Sequence, residues 1–359
     1  MAVIAALAAL GVLMAARSSL LVRLTRRLTN QGNELREDVG ALQTALLPTI
    51  PERIGDVELS IAYRAAEGPA AGGDFHDVFA LEGDRVAVIV GDVSGHGREA
   101  LTITPLVHYT VRAYLEAGMQ PRHALRLADQ ALGGKLGHDF ATVLAAIYDA
   151  DGSTLDYATA GHPAPLILGV QGDHAITEMT PPPIGVGPPT GFRQTRVALC
   201  AGSRACFFTD GLTERRDEDD AMLWREGFAR LLAELDERVE AEAALDCLAE
   251  SESVTGTDDM TVGLLRPLGA SGDGSIIEEL ELQADANPED IAGFLHACGL
   301  DAGETNRALE EIAGHAGASS LRVEHRDEQI TFEVTEAAAE ERPAALARPG
   351  EPPHVVLAT

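Results

Sequence analysis

A chain of 359 residues with 45% hydrophobic residues has room for two or three domains and is too apolar to be disordered throughout. Its 57 acids against 27 bases give a net charge of −30, which argues against a nucleic-acid binder because a polyphosphate would be repelled by most of the surface. The four cysteines, Cys200, Cys206, Cys247 and Cys298, form no C-x-x-C pair, so neither a zinc site nor a disulfide framework is indicated.

Residues 1–16 carry no charged side chain, and the apolar character resumes after Arg17 as far as Val22. A run of that length meets the span of a bilayer. Arg23, Arg26 and Arg27 follow it, the reverse of the order in a secretory signal peptide. The pattern therefore predicts a single-pass anchor helix over 1–22 with everything after it cytoplasmic. An Ala-rich helix packed on the protein is the alternative. Leu21, Leu28, Leu35 and Leu42 then recur every seven residues, with Val39 and Leu46 at the second seam position. Residues 23–50 are expected to form a linker helix, either a coil that makes a homodimer or an amphipathic helix packed on its own domain. Pro48 and Pro51 end it.

From Val57 the period changes to two, through Leu59, Ile61 and Tyr63, which predicts a strand. Further strands are expected at Arg85–Gly91, Thr142–Tyr148, Thr154–Ala158, Pro165–Leu168, Thr195–Leu199, Ala205–Phe208 and Met260–Leu265. Helical patterns fit 97–117, 121–132, 220–235 and 239–250. Strands outnumber helices and many are neighbours in sequence, which favours antiparallel sheets with helices packed outside.

Acids recur where these strands end. Asp74 follows two glycines, Asp92 closes VAVIVG, Asp210 closes ACFFT, and Asp258 and Asp259 precede MTVGLL. One such acid is an ordinary turn residue. Several gathered at one sheet edge would repel each other and shift toward protonation unless a cation sat between them. An all-oxygen set favours Mg²⁺ or Mn²⁺ over Zn²⁺.

The segments GGDFHDVF (72–79), GDVSGHG (91–97), ATAGHPAPL (158–166), FFTDGLTE (207–214) and DDMTV (258–262) stand in the order and spacing of PP2C-like phosphatases. The chain resembles the bacterial SpoIIE/RsbU-type branch of that family, and LQTALLP (42–48) resembles the helix that precedes the domain there. The resemblance implies an α+β fold over 51–268, an α-β-β-α sandwich of two antiparallel sheets flanked by helices. It implies a protein serine/threonine phosphatase with two divalent metal ions, Mn²⁺ or Mg²⁺. Carried over by position, Asp92 would bridge both ions, the Val93 carbonyl would assist one, Asp74 would hold the second, and Asp210 with Asp258 the first. Asp259 is the alternative to Asp258. His76 stands where the family often has an aromatic, and His96 and His162 are read as structural. The implied partner is a phosphorylated protein, by analogy a STAS-domain anti-anti-sigma factor. The rival reading is a non-catalytic PP2C-like signalling scaffold.

Residues 269–275 read as a Gly/Ser linker. Residues 276–336 show a β-α-α-β-β order that weakly resembles half of an anti-sigma-factor kinase fold. The expected asparagine and the glycine-rich nucleotide motifs are missing, so a degenerate docking or dimerisation module is expected rather than an ATP site. Residues 337–359, rich in Ala, Pro and Glu, are expected to be a disordered tail.

Overall fold

The computed structural model describes residues 17, 26, 48, 50–64, 73–95, 98–169, 181–214, 224–236, 238–249, 259–269, 275–283, 286–314, 318–326 and 329–336. The chain separates into two compact units, with the change between Gly274 and Ser275.

The first unit contains two antiparallel sheets. One has the order β1 (Arg53–Ile54), β2 (Val57–Arg64), β10 (Met260–Pro267), β9 (Arg204–Phe208), β7 (Leu166–Leu168). The other runs β8 (Arg193–Ala198), β6 (Thr154–Ala160), β5 (Ala141–Asp149), β4 (Arg85–Val93), β3 (Phe75–Leu81). Helices α1 (Arg98–Glu116) and α2 (Pro121–Leu132) bury Val107, Val111, Leu115, Leu125 and Leu132 against Phe75, Ile89, Val143 and Ile147 of the second sheet. Helices α3 (Trp224–Glu234) and α4 (Ala241–Ala249) bury Phe228, Leu232 and Leu245 against Phe208, Val262 and Leu264 of the first.

Each helix pair thus covers one face of one sheet. Alternate residues such as Val86, Val88 and Val90 on β4 are equally buried, on the opposite face from Ala87 and Ile89. Burial on both faces explains the unbroken apolar run VAVIV, where a half-exposed strand would alternate. The expected α-β-β-α sandwich of two antiparallel sheets is what the chain adopts. Buried Arg204 on β9 donates to the carbonyls of Leu232 and Asp236 (2.9 and 2.7 Å), at and just past the end of α3, and ties that helix end to the sheet.

The second unit is a three-stranded antiparallel sheet, β11 (Ile276–Glu281), β12 (Ala318–Arg326) and β13 (Gln329–Glu336), with α5 (Pro288–Ala297) and α6 (Ala302–Gly314). Phe294, Leu295, Leu300, Ala308, Leu321 and Val323 form its core. Asn287 caps α5 through Glu289 N–H, and Asp301 and Glu304 exchange side-chain-to-backbone bonds at the start of α6.

One strand was not anticipated, and one sequence expectation needs correction. The stretch FHDVFAL is strand β3, although His76 and Asp77 interrupt its apolar period; both polar side chains are buried on the strand. The membrane-anchored, single-pass placement with a cytoplasmic catalytic domain is corrected. Among the described residues no helix is long and apolar enough to cross a membrane. Their helices are amphipathic and carry charged residues within each span, whereas a crossing needs about 20 apolar residues in succession. The anchor expected at 1–22 (apart from Arg17), the coil (apart from Arg26, Pro48 and Ile50) and the tail at 337–359 lie outside the described residues.

Candidate metal centre

The strand ladders place the acids at one end of the sandwich. Phe75 faces Gly91 in the β3–β4 ladder, so Asp74, just before β3, lies beside Asp92 and Val93 at the end of β4. Val93 N–H donates to Gly73 O (3.2 Å) and closes that corner. In the other sheet, Val262 faces Phe208, which brings Asp259, just before β10, to the same end as Asp210, which opens a 3-10 turn after β9.

Gly73 shows how close these groups lie. A Cβ there would stand 2.2 Å from Asp92 Oδ1 and 2.2 Å from Val93 O, so the two oxygens converge on one glycine. Asp74 is buried, and Thr209 Oγ1 and Thr261 Oγ1 both donate to its Oδ2 (2.8 and 2.7 Å). Burial pushes the Asp74 carboxyl well above the usual carboxylate range, and the charges of Asp92 and Asp259 push it further, against the pull of the two hydroxyls. A buried carboxyl raised by its acidic neighbours in this way is one that a divalent cation would relieve. Among the described residues no group of three or more His, Cys, Asp or Glu side chains is arranged to hold a metal ion. Asp258 lies outside the described residues, as does His96. The structure therefore brings Asp74, Asp92, Val93 and Asp259 together, with Asp210 adjoining Thr209. The oxygen chemistry fits a hard cation.

The family is decided by sequence comparison. The profile described as Stage II sporulation protein E (SpoIIE) matches residues 82–267, just over half of the chain. The chain belongs to the SpoIIE family.

Within the curated proteins, the SpoIIE-family segment is similar to the phosphoserine phosphatase RsbP of Bacillus subtilis (strain 168), 25% identical over 147 residues, which is 40% of this chain and 36% of RsbP. The chain thus spans about a third of that relative's length. Among solved structures it is similar to the RsbU and RsbW domains of Rv1364c from Mycobacterium tuberculosis, with a TM-score of 0.50 and 25% identity over 74% of this chain and 79% of that one. The SiaA-PP2C domain of Pseudomonas aeruginosa has a TM-score of 0.54 at 21% identity, covering 67% of this chain and 97% of that domain, a likeness of fold. Residues 82–267 accordingly carry a SpoIIE-family domain with the PP2C-type fold.

His162, in the AGHP turn of this SpoIIE domain, is fully buried between Thr142 Oγ1 (3.0 Å from Nδ1) and Phe208 O (3.0 Å from Nε2). A carbonyl only accepts, so Nε2 carries the proton and Nδ1 accepts from the Thr142 hydroxyl. The neutral ring joins β5 of one sheet to β9 of the other, two residues before Asp210. The structural role expected of it is what the geometry gives. Burial pushes its pKa down to about 4.

His162 makes a pH prediction whose sign follows from linkage. The unfolded ring takes up a proton near its ordinary pKa and the folded ring does not, so its stabilisation is present above about pH 6.5 and is lost as pH falls toward 4. Between pH 7.5 and 4.5 the parent should lose about 2–3 kcal/mol more stability than His162→Gln, which can still donate to Phe208 O but does not titrate. Urea unfolding of both proteins at the two pH values measures this, and parallel losses would rule it out.

His76 is also buried, its pKa pushed down to about 4 by burial against the opposing pull of Asp77, and it packs near the Tyr63 ring (6.4 Å between centroids). A neutral imidazole in that packing fits the structural reading. The features that sequence reasoning missed are the two threonines on Asp74 and a buried cluster behind β3. There, Asp77 Oδ2 accepts from His108 Nε2 (2.8 Å) and from Arg112 (2.7 Å), and the Arg112 guanidinium lies 4.2 Å from the Phe79 ring centroid. The cluster ties α1 to the strand that begins with Asp74. The only signal in the sequence was an acid in a strand-like run, with a His and an Arg four residues apart on a later helix.

Proposed function

We propose that this chain is a metal-dependent phosphatase that hydrolyses phosphoserine or phosphothreonine in a partner protein. The observation that carries the reading is the convergence of Asp92 Oδ1 and Val93 O on Gly73, beside a buried Asp74 whose charge is opposed by Asp92 and Asp259. In this reading Asp74, Asp92, Asp210, Asp259, Asp258 and the Val93 carbonyl hold two divalent cations, Mn²⁺ or Mg²⁺. When bound, such cations lower the pKa of a nucleophilic water and offset charge on the phosphoryl oxygens. The chain's own part is to gather the carboxylates and fix their orientation. By analogy with RsbP and with the RsbU domain, the substrate is a phosphorylated signalling protein, with STAS-domain anti-anti-sigma factors as the class to test first.

The similarity to Rv1364c covers more of this chain than the phosphatase profile does, and that structure joins an RsbU domain to an RsbW domain. This supports residues 276–336 as a degenerate module of the anti-sigma-kinase kind, following a phosphatase domain over 51–268.

Phosphate release by the full chain from a phosphoserine protein tests the activity. With Mn²⁺ present, release is expected, and EDTA should abolish it. Release that persists in EDTA would remove the metal from the reading. A folded, metal-supplied chain inactive on several phosphoserine and phosphothreonine proteins would favour the scaffold.

A further inference from the structure

We propose that Thr209 and Thr261 are positioning residues for the metal centre, acting as a two-hydroxyl clamp that fixes which oxygen of Asp74 is left for a cation. The inference rests on the metal-centre reading above and adds two residues to it.

The direction of each hydrogen bond in the clamp is determined. Thr261 N–H donates to Thr209 Oγ1 (3.0 Å), so the Thr209 hydroxyl proton is free to go to Asp74 Oδ2 (2.8 Å). Thr261 Oγ1 donates to the same oxygen (2.7 Å). A carboxylate is a pure acceptor when ionised, so two donors on one oxygen favour the charged form and pin the plane of the group. Both bonds fall on Oδ2, which leaves Oδ1 free of hydrogen bonds from the described residues. Both threonines are fully buried, where solvent cannot substitute for a lost hydroxyl.

The clamp also relates the acids to one another. Thr209 directly precedes Asp210, and Thr261 is two residues after Asp259. The backbone bond from Thr209 N–H to Thr261 O (3.2 Å) sets their register. Asp74 belongs to the other sheet. Its carboxylate is therefore held from the two segments that carry Asp210 and Asp259, and a shift of one sheet against the other would change the spacing of the whole set. Valine has nearly the shape of threonine and a strong strand preference, so packing alone does not require hydroxyls at these two places.

Mn²⁺ binding to the full chain, followed by isothermal titration calorimetry, tests the clamp without relying on turnover. Thr261→Val keeps the shape and removes only the donor to Asp74, and it should weaken Mn²⁺ affinity by roughly 10–100-fold. Thr261→Ser keeps the donor and should bind close to the parent. Thr209→Val should weaken affinity similarly and also lower the melting temperature, because it leaves Thr261 N–H without its acceptor. Parent-like affinity in Thr261→Val would overturn the clamp alone, as would a well-folded Thr261→Ser that has lost affinity. A parent that takes up no Mn²⁺ would overturn the metal centre and the clamp together.

Discussion

Asp92→Ala is expected to lower phosphate release from a phosphoserine protein by roughly 10³-fold or more while leaving the domain folded. The backbone of Asp92 stays in the β4–β5 ladder opposite Thr142, and Val93 N–H keeps its bond to Gly73 O, so the strand framework does not depend on the side chain. What the variant loses is the carboxylate whose Oδ1 converges with Val93 O, and with it a charge that opposes ionisation of Asp74. Two measurements separate this from unfolding. Without metal, the variant should melt no lower than the parent, because one of several mutually repelling carboxylates is gone. With Mn²⁺ at about 100 times its dissociation constant, the parent should gain about 2.7 kcal/mol from binding, and the variant should gain little. A folded Asp92→Ala protein with full activity would remove Asp92 from the centre.

The sequence exposed Asp92 and Asp210 because each sits where a strand of regular period stops. The run VAVIV ends at Gly91-Asp92 and ACFF at Thr209-Asp210, and a buried strand surfaces at such points whatever the fold. It did not expose the threonines. Thr209 and Thr261 lie 135 and 187 residues from Asp74, and a hydroxyl in a β-branched strand residue has no local signature. Strand β3 was hidden for a related reason. Its polar residues His76 and Asp77 break the apolar period, and the groups that justify burying Asp77 are His108 and Arg112 on α1, 31 and 35 residues away. Long-range polar partners override local pattern. His162 shows the same limit: its turn was readable, its bridge between β5 and β9 was not. Length and lack of charge predicted an anchor over residues 1–22, which apart from Arg17 lie outside the described residues; among the described residues no helix is long and apolar enough to cross a membrane.

Gly73→Ala should be nearly as damaging as loss of Asp92, although it removes no functional group. Gly73 is not in the left-handed region, so its backbone conformation does not demand glycine; the space around it does. The added methyl would lie 2.2 Å from Val93 O and from Asp92 Oδ1. Rotating Asp92 would relieve only one of these contacts, because the other partner is backbone inside the β4 ladder. Relief requires Gly73 and Val93 to separate, which stretches the Val93 N–H bond to Gly73 O and draws Asp74 away from Thr209 and Thr261. A displacement on the order of 1 Å at a reacting centre costs about 10²-fold in rate, and overpacking of this kind costs about 1–3 kcal/mol in stability. Phosphate release should therefore fall by at least about 10²-fold. The Mn²⁺-induced rise in melting temperature should shrink with it. Gly152→Ala is the matched control, since its Cβ would meet nothing closer than Thr154 Oγ1 at 3.4 Å, in the turn at the far end of β5, and it should leave both quantities near the parent's. Equal activity in the two variants would mean that Asp92 and Val93 can part from Gly73 without consequence. The close approach on which the metal centre was built would then have no functional weight.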